Sequence, residues 1–343
     1  MTKKKGVLLI NLGSPKSPNK ADVKRYLDEF LMDKYVIDTN YLMRTILVRG
    51  IILNTRPAKS AEAYKKVWTD EGSPLIVHTQ NLNEKVQNQL DIPVEIAMRY
   101  GEPSLLEGLE KLVSQGVESC FLLPLYPQYA MASTETVVAK LNKIKKKQFP
   151  TIEFNFLAPF YHHPDFIRVL SESIKRQLGD FNYDHLLFSY HGLPERHIKK
   201  SDPSKSHCKI DGSCCETPHK AHATCYRHQC FETTKAVVKY LSLQEGSYSN
   251  SFQSRLGNDP WLEPNTADII DNFPKKGVKK LAVVTPAFVA DCLETIEEIG
   301  LEAKQAFLDQ GGEEFLRIEC LNDDEAWAEV VARWAKEWQG ISN

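Results

Sequence analysis

Short apolar segments rich in β-branched and aromatic residues alternate with helical segments along the whole chain. The clearest apolar segments lie at 7–11, 94–100, 120–126, 152–157, 185–191 and 281–288. Segments with helical periodicity separate them, including 21–33, 61–68, 165–178 and 290–308. Strands that alternate with helices build βαβ units, in which the strands run parallel and the helices cover the sheet. The sequence therefore predicts an α/β fold with parallel sheets flanked by helices.

The chain also resembles itself weakly at a spacing of about one domain. Residues 8–15 (LLINLGSP) and 186–194 (LLFSYHGLP) each form an apolar strand that runs into a Gly/Pro turn. Residues 116–136 and 277–295 share the order of strand, Pro turn and helix start. We therefore predict two similar Rossmann-like halves. In such sheets, ligands bind beyond the carboxyl ends of the strands, where these turns fall.

The predicted halves span 1–160 and 161–322, with the boundary in a proline-containing stretch. A cysteine-rich insertion at 201–230 belongs to the second half. The last segment, 323–343, is predicted to form an amphipathic closing helix with its Trp and Val side chains turned inward. A chain of 343 residues is long enough for two domains of common size.

Charge and hydropathy reduce the number of cellular locations and partner classes that we expect for the protein. The formal net charge is −2, which gives no general attraction to nucleic acid or to anionic membranes. The first apolar run is too short for a secretory signal, and no run approaches the ~20 residues that span a bilayer. We expect a cytoplasmic protein without a nucleic-acid partner, at most peripheral to the inner face of the cell membrane. The oligomeric state stays open.

His191 ends an apolar strand immediately before the turn formed by Gly192, Leu193 and Pro194. An imidazole at such a strand end can face a cleft, and its pKa suits proton transfer near neutral pH. The alternative is a turn histidine that is bonded to the local backbone. Taken by itself, His191 favours that alternative.

A group of acidic residues follows another predicted strand. If residues 290–298 form an α-helix, Asp291, Glu294 and Glu298 lie on one face and Glu297 points elsewhere. Three acids on one face repel one another unless water, protons or cations occupy the stripe. The alternative is an acidic first turn that complements the helix dipole. That alternative explains Glu298 less well than the other two.

A cation, two hydroxyl groups and an aromatic ring in a loop are candidates for binding a flat, acidic ligand. The cation and hydroxyls are Arg56, Tyr64 and Ser73, which together with Arg99 could receive carboxylates of a substrate. Each of them alone is more often a surface or capping residue. Trp261, in the proline-bracketed sequence DPWLEP, is a candidate aromatic wall, with core packing as the alternative.

Five of the 8 cysteines lie in one polar segment that contains Gly and Pro. They are Cys208, Cys214, Cys215, Cys225 and Cys230, accompanied by His207, His219, His222 and His228. In a cytosolic chain this density indicates metal ligation rather than disulfide bonds or core packing. The lack of a CxxC pair weakens a zinc ribbon, and four thiolates suit a [2Fe–2S] cluster, but both stay open. We expect the histidines to be solvated or to support the ligands from outside.

Six longer motifs resemble those of ferrochelatases and occur in the same order. They are LINLGSP (9–15), AMRYGEP (97–103), LPLYPQYA (123–130), FSYHGLPERH (188–197), YSNSFQSRLGNDPWLEP (248–264) and TPAFVADCLETIEEI (285–299). Together they cover nearly the whole chain. The resemblance implies an enzyme of haem biosynthesis that inserts Fe²⁺ into protoporphyrin IX to form protohaem. It also implies two chelatase-type Rossmann-like halves with a porphyrin cleft between them.

The resemblance further implies roles for the acids and the histidine. His191 accepts protons from the pyrrole nitrogens, and Glu294 faces it across the macrocycle. Asp291 and Glu298 belong to the acidic path of the metal. This chain has Cys292 where some members of the family carry a second histidine, which bears against any mechanism that requires that imidazole.

The same resemblance implies contacts to the porphyrin. The residues concerned are Arg56, Tyr64 and Ser73 at the propionates, Arg99 and Tyr100 near the cleft, and Trp261 at its lip. Two alternatives stay open for the activity: a related tetrapyrrole chelatase that acts on another metal or macrocycle, and a non-catalytic haem or iron sensor. The acidic stripe favours the enzyme, because a haem binder needs no route for a naked ion.

Certain bacterial ferrochelatases hold a [2Fe–2S] cluster in an internal cysteine-rich insertion just after the SYHGLP motif, and residues 201–230 resemble that insertion. Five cysteines compete for four ligand positions, and we expect Cys214 or Cys215 to be the spare one. The cluster would be structural and separate from the active site, because porphyrin metallation with Fe²⁺ transfers no electrons.

Overall fold

The computed structural model describes residues 3–255, 257 and 259–341, which form two compact units. The first unit contains the residues up to Tyr126, Met131–Ala158 and those from Asn322 onward. The second contains Pro127–Ala130 and Pro159–Leu321. Each unit holds a four-stranded sheet whose strands pair in parallel. The predicted class, α/β with two Rossmann-like halves, is confirmed.

The sheet of the first unit has the order β2-β1-β3-β4. Its strands are β1 (Lys5–Asn11), β2 (Val94–Met98), β3 (Ser119–Pro124) and β4 (Glu153–Phe156). The surrounding α-helices are α1 (Lys20–Leu31), α2 (Tyr41–Thr45), α3 (Leu53–Val67), α4 (Pro74–Gln87), α5 (Leu105–Ser114) and α6 (Thr136–Gln148). Residues Ile46–Ile52 and Met131–Glu135 are π-helical.

The centre of the first sheet is buried on both faces, which is why β1 and β3 are almost continuously apolar. On one face, Leu8 and Leu122 pack with Leu109 and Leu112 of α5. Helix α5 begins at a capping box, in which the Ser104 hydroxyl accepts from the Glu107 N–H and the Glu107 carboxylate accepts from the Ser104 N–H. Local capping and an apolar helix face thus fix α5 on the sheet.

The sheet of the second unit has the order β6-β5-β7-β8. Its strands are β5 (His185–His191), β6 (Tyr248–Gln253), β7 (Lys280–Val284) and β8 (Glu314–Arg317). The α-helices are α7 (Pro164–Leu178), α8 (Glu195–Ser201), α9 (Ser213–Glu216), α10 (Tyr226–Leu241), α11 (Thr266–Asn272) and α12 (Lys304–Asp309). Lys220–Thr224 and Pro274–Lys276 are 3₁₀-helical, and Glu294–Ala303 form a π-helix.

The C-terminal segment belongs to the first unit. Its helix, α13, runs over Glu325–Gln339, and the Asp324 carboxylate caps it by accepting from Ala326 N–H. The rings of Trp327 and Trp334 are buried and meet edge to face, with centroids 5.6 Å apart. None of the helices within the described residues combines the length and the apolarity that a bilayer span requires.

Candidate active site and cysteine segment

The carboxyl end of β5 lies at the point where the strand order of the second sheet reverses. Strand β6 lies on one side of β5, and β7 and β8 lie on the other. Because connections leave such a point in opposite directions, they open a crevice beyond the strand ends. His191 is the last residue of β5, and the connection after β7 leads to the π-helix that begins at Glu294. The fold therefore brings two predicted site segments to one edge.

The His191 side chain has a defined tautomer. Its Nδ1 atom lies 2.6 Å from the Gly192 carbonyl oxygen. A carbonyl oxygen only accepts hydrogen bonds, so Nδ1 carries the hydrogen and Nε2 of the neutral ring keeps its lone pair. The ring is half-buried, with its centroid 6.3 Å from that of Phe288. This geometry leaves Nε2 as a proton acceptor.

Glu298 interacts electrostatically with both His191 and Glu294. Ser254 Oγ donates to Glu298 Oε2 at 2.6 Å. Burial raises the pKa of Glu298 above its usual range; the Ser254 hydrogen bond and the His191 charge oppose this rise, and the Glu294 charge adds to it. The structure therefore groups an imidazole and two carboxylates.

Gln253 connects the two segments of this group, and the sequence analysis missed it. Its carbonyl oxygen accepts from Gly192 N–H at 2.6 Å. Its side-chain Nε2 donates to the Glu294 carbonyl at 3.0 Å, while its Oε1 accepts from Ser189 Oγ at 2.9 Å. The available signal was an amide side chain at the end of a strand, in the sequence SFQS.

The structure separates Asp291 from the predicted acidic stripe. Asp291 is 2% exposed, and its Oδ1 accepts from Arg317 Nη1 at 2.6 Å and from Thr295 Oγ1 at 2.7 Å. The helix is a π-helix that begins only at Glu294, so the α-helical spacing that placed three acids on one face does not apply. Glu294 and Glu298 remain about one turn apart, whereas Asp291 is neutralised by Arg317.

Arg99 and Tyr100 lie in an internal network rather than on an open face. The Arg99 guanidinium pairs with Asp33 and donates through Nε to Thr136 Oγ1 at 2.7 Å. The fully buried Tyr100 ring lies under that guanidinium, and its hydroxyl donates to Asp33 at 3.1 Å. The predicted contact of these two residues with a substrate therefore lacks support, because both are engaged by Asp33.

The remaining first-half residues differ in accessibility. Arg56 is exposed on α3 and has no ion pair or hydrogen bond to another side chain in the part of the chain that the structure describes. Tyr64, on the same helix, is buried and meets Trp68 edge to face. Ser73 is buried at the position before α4. Of these, only Arg56 offers an accessible charge.

Trp261 packs against the turn that follows His191. Pro194 and Trp261 form an isolated β-bridge, and Leu262 N–H donates to the Leu193 carbonyl at 2.9 Å. A Cβ atom at position 192 would lie 2.7 Å from the Gln253 carbonyl oxygen and 3.3 Å from the indole ring. Only glycine fits there, so the turn can lie close to both neighbours.

Four of the five clustered thiols interact with one another. Cys208 and Cys214 lie close enough to influence each other electrostatically, and so do Cys215 and Cys225. Burial raises the pKa of Cys208 to about 11, whereas the Cys215 thiol and the N–H groups at the start of α10 lower the pKa of Cys225 to about 7. Within the described residues, no group of three or more His, Cys, Asp or Glu side chains is arranged to hold a metal ion.

Cys230 stands apart from these two pairs. It is completely buried in α10, close enough to the Tyr226 hydroxyl for that group to influence its pKa. Of the other cluster cysteines, only Cys225 influences its pKa, which burial raises well above that of an ordinary thiol. Cys230 therefore lies inside α10, and the expectation that Cys214 or Cys215 is the spare cysteine stays a prediction.

The histidines hold the backbone of the Cys214–Cys215 pair. His207 Nε2 and His222 Nε2 lie 2.9 and 3.0 Å from the Cys214 carbonyl oxygen. His228 Nδ1 lies 2.8 Å from the Cys215 carbonyl oxygen. The rings stack in two pairs, His207 on His219 and His222 on His228. These histidines therefore act on the peptide backbone of the cysteines.

Asp202 anchors the beginning of the segment and was also missed. Its carboxylate accepts from the N–H groups of Ser204, His207 and Cys208, at 2.9, 2.9 and 3.0 Å. Burial opposes its ionisation, but these bonds and the Ser204 hydroxyl outweigh that effect and lower the pKa of Asp202. An Asp followed by Pro and Ser is a typical turn signal.

Comparison with solved structures defines the class of fold. SirB from Bacillus subtilis with Fe³⁺ is similar with a TM-score of 0.54 and 11% identity, over 98% of each chain. The sirohydrochlorin chelatase SirB from Bacillus subtilis subspecies spizizenii in complex with cobalt gives a TM-score of 0.53 at 11% identity, over 97% of this chain and 96% of that chain. At this identity the likeness concerns the fold alone, which is that of a chelatase.

Sequence relatives define the family. The Ferrochelatase family model matches residues 4–338. The ferrochelatase of Pseudomonas entomophila (strain L48) is 50% identical over 330 residues, 95% of this chain and 97% of its own. That of Pseudomonas putida (strain W619) is 47% identical over 333 residues, 96% of this chain and 98% of its own. The chain belongs to the ferrochelatase family, and the predicted activity, that of a porphyrin metal chelatase, is confirmed.

Proposed function

We propose that this chain inserts Fe²⁺ into protoporphyrin IX to form protohaem, with His191 as the proton acceptor and Glu294 as its partner. The observation that carries these roles is the grouping of His191, Glu294 and Glu298 at the carboxyl edge of the second sheet. This grouping contains one neutral base and two carboxylates, the groups that metallation of a porphyrin requires.

The reaction exchanges two N–H protons of the macrocycle for one divalent ion. His191 Nε2 accepts a pyrrole proton, because its Nδ1–H is committed to the Gly192 carbonyl. The imidazolium then passes the proton to Glu298, whose raised pKa favours uptake, and the ring is ready for the second proton. A carboxylate oxygen of Glu294 replaces water on Fe²⁺, since carboxylates are among the ligands that this ion accepts.

Binding of the macrocycle requires apolar surfaces and a cationic contact. Phe288 and Trp261 offer aromatic surface at the edge that carries His191. Arg56 is the favoured contact for a propionate, because its charge is accessible. Tyr64 and Ser73 remain weaker candidates, since both are buried.

Replacement of His191 tests the proposed chemistry. His191→Ala should reduce anaerobic Fe²⁺ insertion by about 10²–10⁴-fold, the usual contribution of a general base. Porphyrin binding, followed by quenching of its fluorescence, should persist. His162→Ala, at an exposed histidine, is the matched control. Turnover within a few-fold of the parent enzyme would remove His191 from the mechanism.

We also propose that Cys208, Cys214, Cys215 and Cys225 hold a [2Fe–2S] cluster. Each iron of such a cluster takes two cysteine thiolates, and the four thiols form two pairs whose members influence each other electrostatically. Ligation would supply ordering energy to a polar loop that has little apolar surface of its own. The histidines and Asp202 would preserve the backbone around the ligands.

The ligand set is tested on protein purified without oxygen. Two irons and two acid-labile sulfides per chain are expected, with visible absorption. Serine replacements at the four proposed ligands should abolish the absorption, and Cys230→Ser should retain it. One zinc without labile sulfide would assign the segment to the zinc class, and loss of absorption only with Cys230→Ser would reverse the ligand assignment.

For localisation, we propose a cytoplasmic enzyme that rests on the membrane surface. Six large apolar side chains are 40–68% exposed on one short stretch: Tyr41, Leu42, Met43, Ile46, Leu47 and Ile51. Contiguous exposure of this kind marks an interaction surface. Ile46→Ser combined with Leu42→Ser should reduce flotation with anionic vesicles, whereas Leu301→Ser, at an isolated exposed leucine, should not. Unchanged flotation would disprove the assignment of this surface.

A further inference from the structure

Tyr226 links the cysteine segment to the candidate catalytic histidine. It is the first residue of α10 and immediately follows Cys225, which caps that helix. Its buried ring points the hydroxyl at the carbonyl oxygen of His191, to which it donates at 2.9 Å. One covalent neighbour of a proposed cluster ligand therefore contacts the residue proposed to take the pyrrole protons.

The peptide plane between His191 and Gly192 is held on both sides. Its carbonyl oxygen accepts from Tyr226, and its N–H donates to the Gln253 carbonyl at 2.6 Å. The following carbonyl, that of Gly192, accepts from the imidazole Nδ1–H. A rotation of this plane therefore changes the direction in which His191 Nε2 points.

Helix α10 is also tied to the rest of the cysteine segment. Gln229 Nε2 donates to the carbonyl oxygens of His222 and Ala223, each at 3.0 Å. The Arg227 guanidinium donates to the Ile210 carbonyl. Hydrogen bonds therefore connect the first two turns of α10 to the segment that carries the thiols, so a shift of that segment would displace these turns.

We propose that Tyr226 is a positioning residue that couples ligation of the cysteine segment to the orientation of His191. When Cys225 is bound to a metal centre, the start of α10 is fixed and the Tyr226 hydroxyl holds the His191 carbonyl. When ligation is lost, the helix start is released and His191 is no longer held on that side. This inference rests on the proposed roles of His191 and of the cysteine segment.

The first test removes only the hydroxyl, in Tyr226→Phe. The turnover number should fall roughly three- to tenfold, the range expected for one lost hydrogen bond, with the KM for porphyrin within twofold and the iron and sulfide contents unchanged. The rate at which diethyl pyrocarbonate modifies His191 in the porphyrin-free protein should change by a similar factor. Tyr240→Phe is the control, because Tyr240 lies at the other end of the same helix and its hydroxyl bonds with Glu172.

The second test removes ligands in the presence and absence of the hydroxyl. Cys208→Ser and Cys225→Ser should each change the modification rate of His191, and neither should change it further in combination with Tyr226→Phe. An effect of Cys225→Ser alone would mean that the contact is local, which would overturn the coupling to ligation. A Tyr226→Phe protein with unaltered turnover and unaltered His191 modification would overturn the positioning role.

The outcomes that test Tyr226 differ from those that would disprove the proposed function. Normal turnover in His191→Ala would remove the catalytic role of the histidine, whereas the modification rate still reports whether Tyr226 holds it. Protein without a metal centre in the cysteine segment would remove the coupling and leave the positioning role to stand on Tyr226→Phe.

Discussion

The carboxyl ends of the two sheets carry polar side chains in both units, but their partners differ. In the first unit, the Asn11 side chain at the end of β1 bonds with Thr79 and with the Leu12 N–H, and Arg99 beyond β2 is neutralised by Asp33. In the second, His191 and Glu294 remain half-buried. The strand order is the same in both sheets. A repeated topology therefore supplies two similar edges, and the partners of the charged groups decide which edge has groups available for chemistry.

The largest expected effect concerns the second edge. Glu294→Gln keeps the shape and removes the charge, so iron insertion should fall by about 10²–10⁴-fold, as for other groups that act on the reacting centre. Glu302→Gln, exposed on the same π-helix, should leave the rate nearly unchanged. Equal rates for the two variants in an anaerobic assay would break the comparison, because the second edge would then be as inert as the first.

The next effect concerns stability at the first edge. Asp33→Ala leaves the buried guanidinium of Arg99 without its carboxylate, so the free energy of unfolding should fall by about 3–5 kcal/mol, measured by urea denaturation. Asp28→Ala removes the surface pair with Arg49 and should cost at most about 1 kcal/mol. If an Asp33→Ala protein is still folded but binds porphyrin much more weakly, the predicted contact of Arg99 with the substrate would be supported instead.

A smaller effect is expected where the first unit keeps an accessible charge. Arg56→Leu should weaken the binding of a dicarboxylate porphyrin by about 1.5–3 kcal/mol, the range for a charge-assisted hydrogen bond. The dimethyl ester of the same porphyrin is the internal control and should lose little affinity. Equal losses of affinity for both ligands in a fluorescence titration would show that Arg56 has a structural role and does not contact the propionate.

The smallest expected effect concerns a hydrogen bond to Glu298 at the second edge. Ser254→Ala removes the hydroxyl that donates to Glu298 at 2.6 Å, so the turnover number should fall roughly two- to tenfold. Ser247→Ala, at an exposed turn hydroxyl, provides the comparison. A fall as large as that of Glu294→Gln would mean that Ser254 orients the carboxylate pair as a whole.

The sequence was sufficient for six of the eight strands that the structure describes, whereas β6 and β8 were not among the predicted segments. Strand β1 was predicted at 7–11 and runs over Lys5–Asn11, and the strand that ends at His191 was located to the residue. Apolar runs and Gly/Pro turns are local signals, which explains this agreement. The motif resemblance then placed His191 and Glu294 in one site.

Asp291 and Arg99 share a feature that the sequence did not signal, which is pairing with a residue far apart in sequence. Asp291 is neutralised by Arg317, and Arg99 by Asp33. Periodicity reports on neighbours within about one helical turn, so these partners had no local signal. The π-helical conformation that begins at Glu294 was likewise not predicted by the residue spacing.

Cys230 shows what a count of one residue type leaves out. It was grouped with the other cysteines by density alone, although it lies in α10, within a continuous helical pattern. Helical spacing places Cys230 one turn after Tyr226, on the same face of the helix. Attention to periodicity would have assigned it to the helix and not to the loop.

The division of the chain has a consequence for its synthesis on the ribosome. The first unit needs the residues from Asn322 onward, including the buried Trp327 and Trp334 of α13, whereas almost all of the second unit is the continuous stretch Pro159–Leu321. Translation therefore releases everything that the second sheet needs before the first unit has its last helix. During that interval the apolar surface that α13 will cover is bare, so the unit that began first is the last to complete its core.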